Sequence, residues 1–189
     1  MSVLQKLLSM LFLRAAPQDL PYDKSLMVRL TFLYWFSGVL VLSATLQPDD
    51  VLQSMLLSVV VLLVFVYGIL RVFNRQARFV QTFSAVAGVS LLFNLASWPM
   101  LAVVAGASEG DPLLTTMSFV FLMLISWEVL VKAYIFRHAI DISMLNAMLL
   151  SFALFFIAMT LSQLLFSTDA GEQAVGGQAR RNEPAISPQ

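Results

Sequence analysis

Long apolar runs dominate the pattern of hydrophobic and polar positions along this chain. Five runs are long enough to cross a hydrocarbon core of about 30 Å as helices. They cover roughly residues 28–46, 51–70, 80–99, 113–135 and 143–166. The pattern predicts an all-α protein, a polytopic transmembrane bundle of five spans with a short amphipathic helix before it.

The third run is too long for one straight crossing and too short for two, because no charged residue lies between Phe79 and Ser108. Pro99 disfavours continuation of a helix, so we predict a span that ends near Trp98 and an apolar cap over residues 100–107. Small residues in this span would let another helix approach closely; they are Ser84, Ala87, Gly88 and Ser90.

The N-terminal segment, residues 1–23, carries a helical stripe of Leu4, Leu7, Leu8 and Leu11. Such a helix could lie on a membrane surface, pack on the rest of the protein, or belong to a cleaved signal. The pattern favours the first alternative. We therefore predict three regions: this amphipathic segment, a five-span membrane domain over residues 24–166, and a disordered tail over residues 167–189, which lacks aromatic residues.

The basic residues predict the orientation of the bundle. Nine of them precede the tail, and each lies before or at the start of span one, between spans two and three, or where span four meets span five: Lys6, Arg14, Lys24, Arg29, Arg71, Arg75, Arg78, Lys132 and Arg137. The charged residues of the other two connections are all acidic: Asp49, Asp50, Glu109 and Asp111. By the positive-inside rule the N-terminus is cytoplasmic and the C-terminus lies outside. Asp111 followed by Pro112 is a predicted start of the fourth span.

Composition supports a membrane protein, with 59% hydrophobic residues, 12% charged residues and a mean hydropathy of +0.85. The absence of cysteine excludes disulfides and thiolate metal sites. The zero formal net charge gives no indication of nucleic acid. Glycine-rich phosphate loops, HExxH and GxSxG are absent, so we expect neither an enzyme nor a catalytic residue, metal or cofactor.

One acidic residue, Glu128, lies inside an apolar run, in the fourth span. Lys132 follows at i+4 in the favourable order, and we place Asn146, Gln81 and Thr82 at a similar depth, one or two turns from the cytoplasmic surface. This candidate polar layer could bind a proton, an ion or a polar headgroup. Alternatively, Glu128 could bond Lys132 or Asn146 as a structural clasp between spans four and five, which the sequence favours.

Arg71, Arg75 and Arg78 are spaced i, i+4, i+7, so a continued helix would align them towards lipid headgroups. They are candidate headgroup contacts. Topological anchoring explains the same residues.

Two stretches, "RFVQTFSAVAGVSLLFNLASWP" (78–99) and "YIFRHAIDISMLNAMLL" (134–150), resemble bacterial membrane proteins of the Yip (Ypt-interacting protein) family. The resemblance covers roughly residues 24–166 and implies five spans with a cytoplasmic N-terminus. Eukaryotic members contact Rab GTPases through an Asp-Leu-Tyr-Gly-Pro motif. Residues 19–23 read Asp-Leu-Pro-Tyr-Asp, so the Rab role is not carried over.

These observations predict a non-enzymatic integral membrane protein that organises or assists other membrane components. Its expected partners are the lipid bilayer and a membrane protein or a second copy of the chain. Its expected location is the bacterial inner membrane. The alternative is a small transporter or lipid-handling protein that uses the polar layer around Glu128.

Overall fold

A computed structural model describes residues 2–43, 48–106 and 112–181, which form six α-helices and two single 3-10 turns. The helices are α1 (Val3–Leu11), α2 (Lys24–Leu42), α3 (Pro48–Val72), α4 (Phe79–Gly106), α5 (Pro112–Ile140) and α6 (Met144–Arg181). The turns are Pro17–Asp19 and Gln76–Arg78. The described residues contain no strand, so the prediction of an all-α fold is confirmed.

Five helices, α2 to α6, are long and apolar enough to cross a membrane. Their outer surfaces carry exposed aromatic side chains, among them Phe32, Phe36, Phe119 and Phe156, as expected of a surface that faces lipid. The prediction of five spans is therefore confirmed, and the orientation stays a prediction. Two acidic positions of that argument, Glu109 and Asp111, lie outside the described residues, although α5 begins at Pro112 as predicted.

The end predicted for the third span is wrong, because α4 runs through Pro99 to Gly106. Proline inside a helix costs about 3 kcal/mol relative to alanine. Leaving the helix within a hydrocarbon layer would instead strip several backbone groups of hydrogen bonds, at several kcal/mol each. The residues after Pro99 are apolar, so continuing the helix with one hydrogen bond missing is the less costly solution.

The last helix also extends beyond its predicted end, since the backbone of α6 is helical through Arg181. The sequence predicts a disordered tail from residue 167, and the boundary at residue 166 stays a prediction. Alanine, glutamine and arginine, which favour helices, are common between residues 170 and 181. Residues 182–189 lie outside the described ranges.

Helix α4 occupies the centre of the bundle and packs against α2, α5, α1 and α3. Its buried side chains are mostly small, including Ser84, Ala85, Ala87 and Ser90, so neighbouring backbones approach closely. Asn94 of α4 donates to the Ser37 hydroxyl of α2 over 3.1 Å. Phe83 and Phe93 of α4 belong to the same hydrophobic core as the buried residues of α5 after Glu128.

Tight turns follow α1, α3 and α5, and each contains a residue with a left-handed backbone. Leu13, Asn74 and Asp141 have φ angles of 58°, 55° and 56°. A side chain there costs about 1–2 kcal/mol. The turns recover hydrogen bonds that close the helix ends, for example from the Arg75 N–H to the Leu70 carbonyl over 2.7 Å. The chain therefore reverses within a few residues between α3 and α4, and between α5 and α6.

Helix α1 lies against α4 and α5 with Leu7 and Met10 buried. Its opposite face is exposed and carries Leu4, Leu8 and Phe12. The contact agrees with the alternative in which this segment packs on the rest of the protein. That the exposed face lies in a membrane surface stays a prediction.

Candidate functional site

The centre of the site is an ion pair within α5. The Lys132 Nζ atom lies 2.7 Å from the Glu128 Oε1 atom, and the two side chains are only 19% and 23% exposed. The spacing of four residues with the acid first lets both groups meet on one helix face, as the sequence predicts. Each charge is therefore neutralised locally, without help from another helix.

A second helix supplies a hydrogen bond to the same carboxylate. The Ser90 hydroxyl of α4 donates to the Glu128 Oε1 atom over 3.0 Å. Ser90 is buried at the interface between α4 and α5. The bond therefore joins these two helices at the ion pair.

The ion pair faces a cavity of about 100 Å³ between α2, α3, α5 and α6. Such a volume holds a few water molecules. Besides the ion pair, the polar residues of its wall are Tyr34, Ser58 and Ser151. All five long helices thus contribute to the site, since Ser90 of α4 binds the carboxylate.

The hydroxyl groups of the two serines in the wall donate their hydrogens to backbone carbonyls. The Ser151 hydroxyl donates to the Val129 carbonyl over 2.8 Å, and the Ser58 hydroxyl donates to the Ser54 carbonyl over 2.9 Å. Their oxygens keep lone pairs that can accept hydrogen bonds. The Lys132 ammonium has three donors, one of which is used by Glu128. The cavity can therefore both donate hydrogen bonds to a guest and accept them.

Glu128 lies well inside its helix. It lies twelve residues before Ile140, the last residue of α5, which is about 18 Å at the usual helical rise. Ser90 lies eleven residues after Phe79, about 16 Å along α4. More than three turns therefore separate Glu128 from the end of α5, which continues five residues past 135, and the depth of Glu128 below a membrane surface stays a prediction.

Of the candidate polar layer, the structure brings only Lys132 to Glu128. Gln81 donates instead to the carbonyls of Gln18 and Leu20, over 3.3 and 2.7 Å. Asn146 is exposed and lines a separate apolar pocket beside Phe73. The Thr82 hydroxyl oxygen is buried without a hydrogen-bond partner among the described residues.

The predicted contact between Glu128 and Lys132 is correct, whereas the predicted contact of Glu128 with α6 is wrong. Glu128 does bond Lys132, but its contact with another helix is Ser90 of α4 and not Asn146 of α6. The bond that joins α5 to α6 at this level is the one from the Ser151 hydroxyl to the Val129 carbonyl.

No family model, curated protein or solved structure matches this chain. The resemblance to the Yip family stays a hypothesis.

Two of the three arginines proposed as headgroup contacts take part in ion pairs. Arg75 and Arg78 lie 3.0 and 3.3 Å from the same oxygen of Asp141. Arg78 also donates to the carbonyls of His138 and Ala139, over 3.2 and 3.0 Å, at the end of α5. These contacts tie the start of α4 to the end of α5. Arg71 is exposed, and headgroup contact at all three positions stays a prediction.

Sequence reasoning did not assign Ser90, Tyr34, Ser58 and Ser151 to this site. Ser90 stands out in the sequence only as one of several small residues of its span. A hydroxyl in an apolar helix more often bonds its own backbone, as Ser84 does with the Val80 carbonyl over 2.6 Å. The helix face that meets Glu128 has to be known before Ser90 can be distinguished from Ser84.

Proposed function

We propose that this chain is a small transporter or lipid-handling protein of a membrane, and that it binds a small polar group in the cavity beside Glu128 and Lys132. The observation that carries the proposal is the cavity itself, which adjoins an ion pair inside a bundle of apolar helices. Ionisable residues within membrane spans are costly, and in membrane proteins they commonly mark ligand, ion or proton sites.

The cavity also argues against a purely structural role for the ion pair. A clasp needs only contact between Glu128 and its partners. The wall of the cavity also presents the Lys132 ammonium and the hydroxyl groups of Ser58 and Ser151, which can donate and accept hydrogen bonds. Such a lining favours a polar guest beside the ion pair.

The charges of the site indicate the chemistry of the guest. Glu128 and Lys132 together carry no net charge, so a lone cation or anion would meet a repelling group beside an attracting one. A small zwitterionic group matches both, with its cation near the carboxylate and its anion near the ammonium. Such a group could be a lipid headgroup or a free solute.

The test compares two probes in a purified, reconstituted protein. Phosphatidylethanolamine in phosphatidylglycerol nanodiscs represents the lipid-borne zwitterion, and glycine represents the free one. We expect one of them to raise the melting temperature of the parent protein, since a ligand that binds only the folded state stabilises it. The shift should vanish in Glu128→Gln and Lys132→Met and persist in Ser84→Ala, whose hydroxyl bonds only its own helix. If neither probe shifts the parent, or if Glu128→Gln responds like the parent, the proposal fails.

A second function, the organisation of other membrane components, is favoured by a separate observation. An apolar groove of about 510 Å³ runs between α2 and α3, and its wall includes Phe32, Trp35 and Leu63, with Phe83 of α4. A helix of a partner membrane protein would fit there by packing alone. This role agrees with the Yip-like hypothesis and with a location in the bacterial inner membrane.

Photo-crosslinking distinguishes the two functions. A photoreactive residue at position 32, in the groove, should give one discrete protein adduct in intact membranes. The matched control is position 149, which is exposed on α6 and does not line this groove. Equal, diffuse crosslinking from both positions would count against an organising role.

A further inference from the structure

The Glu128 carboxylate uses one of its two oxygens within the bundle. The Lys132 Nζ atom and the Ser90 hydroxyl both contact Oε1, over 2.7 and 3.0 Å. These contacts, made by described residues, leave Oε2 without a hydrogen bond. A carboxylate oxygen can accept about two hydrogen bonds, and Glu128 lines the cavity. Oε2 is therefore an acceptor that a guest can use.

The two serine hydroxyls of the wall are acceptors as well. Ser58 donates its hydrogen to the Ser54 carbonyl and Ser151 donates its hydrogen to the Val129 carbonyl. A hydroxyl has one hydrogen and two lone pairs, so each serine oxygen can still accept. The described wall thus offers three acceptors from three helices: Oε2 of Glu128 on α5, the Ser58 oxygen on α3 and the Ser151 oxygen on α6.

The hydrogen-bond donors of the wall belong to two other residues. The Lys132 ammonium has three N–H groups, and its contact with Glu128 uses one of them. Tyr34 of α2 also lines the cavity, and its bond with Ser37 uses the Tyr34 backbone carbonyl. The Tyr34 hydroxyl is therefore available to a guest. Lys132 and Tyr34 together can bind an anionic group.

Three acceptors match the three N–H donors of a primary ammonium group. A quaternary ammonium group has no N–H donor and would leave all three acceptors unpaired, at about 1–3 kcal/mol for each buried group. Proteins usually bind quaternary groups with several aromatic faces instead. The described wall contains two aromatic side chains, Tyr34 and Phe155, and Phe155 is 38% exposed. The hydrogen-bonding groups therefore favour a primary ammonium group.

The size of the cavity also favours a small cation. Its volume of about 100 Å³ is the space of roughly three water molecules at about 30 Å³ each. A primary ammonium with the carbon that bears it has two non-hydrogen atoms, whereas a trimethylammonium group alone has four. Space for an anion beside Lys132 therefore remains only when the cation is small.

We propose that the cavity selects zwitterions whose cation is a primary ammonium group over their N-methylated analogues. Glu128, Ser58 and Ser151 accept the three hydrogens of the ammonium, and Lys132 and Tyr34 donate to the neighbouring anion. This inference rests on the proposed function, because it names the substrate class of the same site. Ethanolamine headgroups of lipids and free amino acids share this chemistry.

The free-solute arm of the test is an N-methylation series on the purified, reconstituted protein. Glycine, N-methylglycine, N,N-dimethylglycine and glycine betaine are zwitterions with three, two, one and no N–H donors. Each is titrated, and the midpoint of the rise in melting temperature gives its apparent affinity. We expect betaine to bind at least about tenfold more weakly than glycine, because a site that binds N–H groups rejects an analogue without them.

An isomer separates hydrogen bonding from size. 2-Aminoisobutyrate contains the same atoms as N,N-dimethylglycine, but its two methyl groups are on carbon and it keeps three N–H donors. We expect 2-aminoisobutyrate to bind several-fold more tightly than N,N-dimethylglycine. Equal affinities of the two isomers, or of glycine and betaine, would overturn the inference and leave the proposed function standing.

The lipid arm uses phosphatidylglycerol nanodiscs that contain phosphatidylethanolamine, its N-methyl or N,N-dimethyl derivative, or phosphatidylcholine. We expect the rise in melting temperature to decrease in that order. Glu128→Gln reports any general effect of the lipid on the bilayer, because this variant lacks the carboxylate that accepts from the ammonium. An equal rise with phosphatidylcholine and phosphatidylethanolamine in the parent protein would overturn the inference in this arm.

A variant of Ser58 tests whether the wall causes the selection. Ser58→Ala removes one acceptor, so we expect the ratio of primary to quaternary affinity to fall several-fold. Ser84 also bonds a carbonyl of its own helix but does not line the cavity, so Ser84→Ala should leave the ratio unchanged. Val61→Ala enlarges the cavity without removing an acceptor and should also leave it unchanged. If Val61→Ala lowers the ratio as much as Ser58→Ala does, size sets the preference and the inference fails.

The two proposals fail separately. If no probe of either arm stabilises the parent protein, the proposed function itself is wrong. If primary and methylated probes stabilise it equally, the cavity binds a guest and only the proposed selection is wrong.

Discussion

Two buried serines of α4 allow a matched test of the hydrogen bond at the site. Ser90 donates to the Glu128 carboxylate of α5 over 3.0 Å, whereas Ser84 donates to the Val80 carbonyl of its own helix over 2.6 Å. Both side chains are almost inaccessible, at 1% and 0% exposure. Replacing each in turn with alanine removes one hydroxyl from the same helix and a similar environment, so the two variants differ mainly in the lost partner.

The expected free-energy changes differ in size. Bonds to charged groups contribute about 1.5–3 kcal/mol in soluble proteins, whereas bonds between membrane helices average about 0.6 kcal/mol, with a maximum near 1.7. Glu128 keeps Lys132 after Ser90→Ala, so the carboxylate is not left unpaired. We expect Ser90→Ala to lower the free energy of unfolding by about 1–1.5 kcal/mol. Ser84→Ala should change it by less than about 0.5 kcal/mol, because alanine favours the helix and the Val80 carbonyl keeps its backbone donor.

The assay is reversible unfolding in mixed micelles with increasing dodecyl sulfate, followed by tryptophan fluorescence and far-ultraviolet circular dichroism. A double-mutant cycle of Ser90→Ala with Glu128→Gln then isolates the interaction, and we expect a coupling energy of at least about 0.5 kcal/mol. The reasoning is refuted if Ser84→Ala destabilises the protein as much as Ser90→Ala. It is equally refuted if the two changes at the site add without coupling.

Three further predictions concern other parts of the bundle. Arg78→Gln should lower the unfolding free energy by about 1–2 kcal/mol, because the Arg78 guanidinium also donates to two carbonyls at the end of α5. Asp141 is half-exposed, so Asp141→Asn should lower the unfolding free energy by less than about 1 kcal/mol, by an amount that depends on salt. Equal effects of the two variants in unfolding titrations at two ionic strengths would contradict this. Gly68→Ala should stabilise the protein by up to about 1 kcal/mol, since no atom lies within 4 Å of the added methyl group. Gly38→Ala should stabilise it less or destabilise it, because the side chain of Met55 must move, and the same unfolding assay compares the two variants. A single cysteine replacing Asp49 should react with an impermeant maleimide only from outside the cell, and labelling from the cytoplasm would reverse the predicted orientation.

The five long helices could be predicted from sequence because each is encoded locally. Hydropathy and length suffice for a membrane-spanning helix, and both are read from neighbouring residues. The ends of a helix do not follow from the sequence where two local rules compete. At Pro99 the preference of proline for a helix end opposed the requirement that apolar backbone keep its hydrogen bonds, and the second prevailed.

The polar site could be predicted only as far as it is local. Glu128 and Lys132 meet because they are four residues apart on one helix. Counting residues gave an approximate depth for Gln81 and Asn146, but depth leaves the direction of a side chain around its helix undetermined. That direction depends on which faces pack together, and the packing turned Gln81 towards the N-terminal segment and Asn146 to a separate pocket.

Glu128 makes an ion pair and a hydrogen bond, and very different free energies are needed to break the two. Separating Glu128 from Lys132 would leave a largely buried charge unpaired, at about 3–5 kcal/mol. Separating Glu128 from Ser90 leaves the ion pair intact and costs about 1 kcal/mol. A guest that enters the cavity between α2, α3, α5 and α6 should therefore meet Glu128 and Lys132 as an intact pair. If the carboxylate turns towards the guest, the bond that is lost first is the one to Ser90, because it costs less to break than the ion pair.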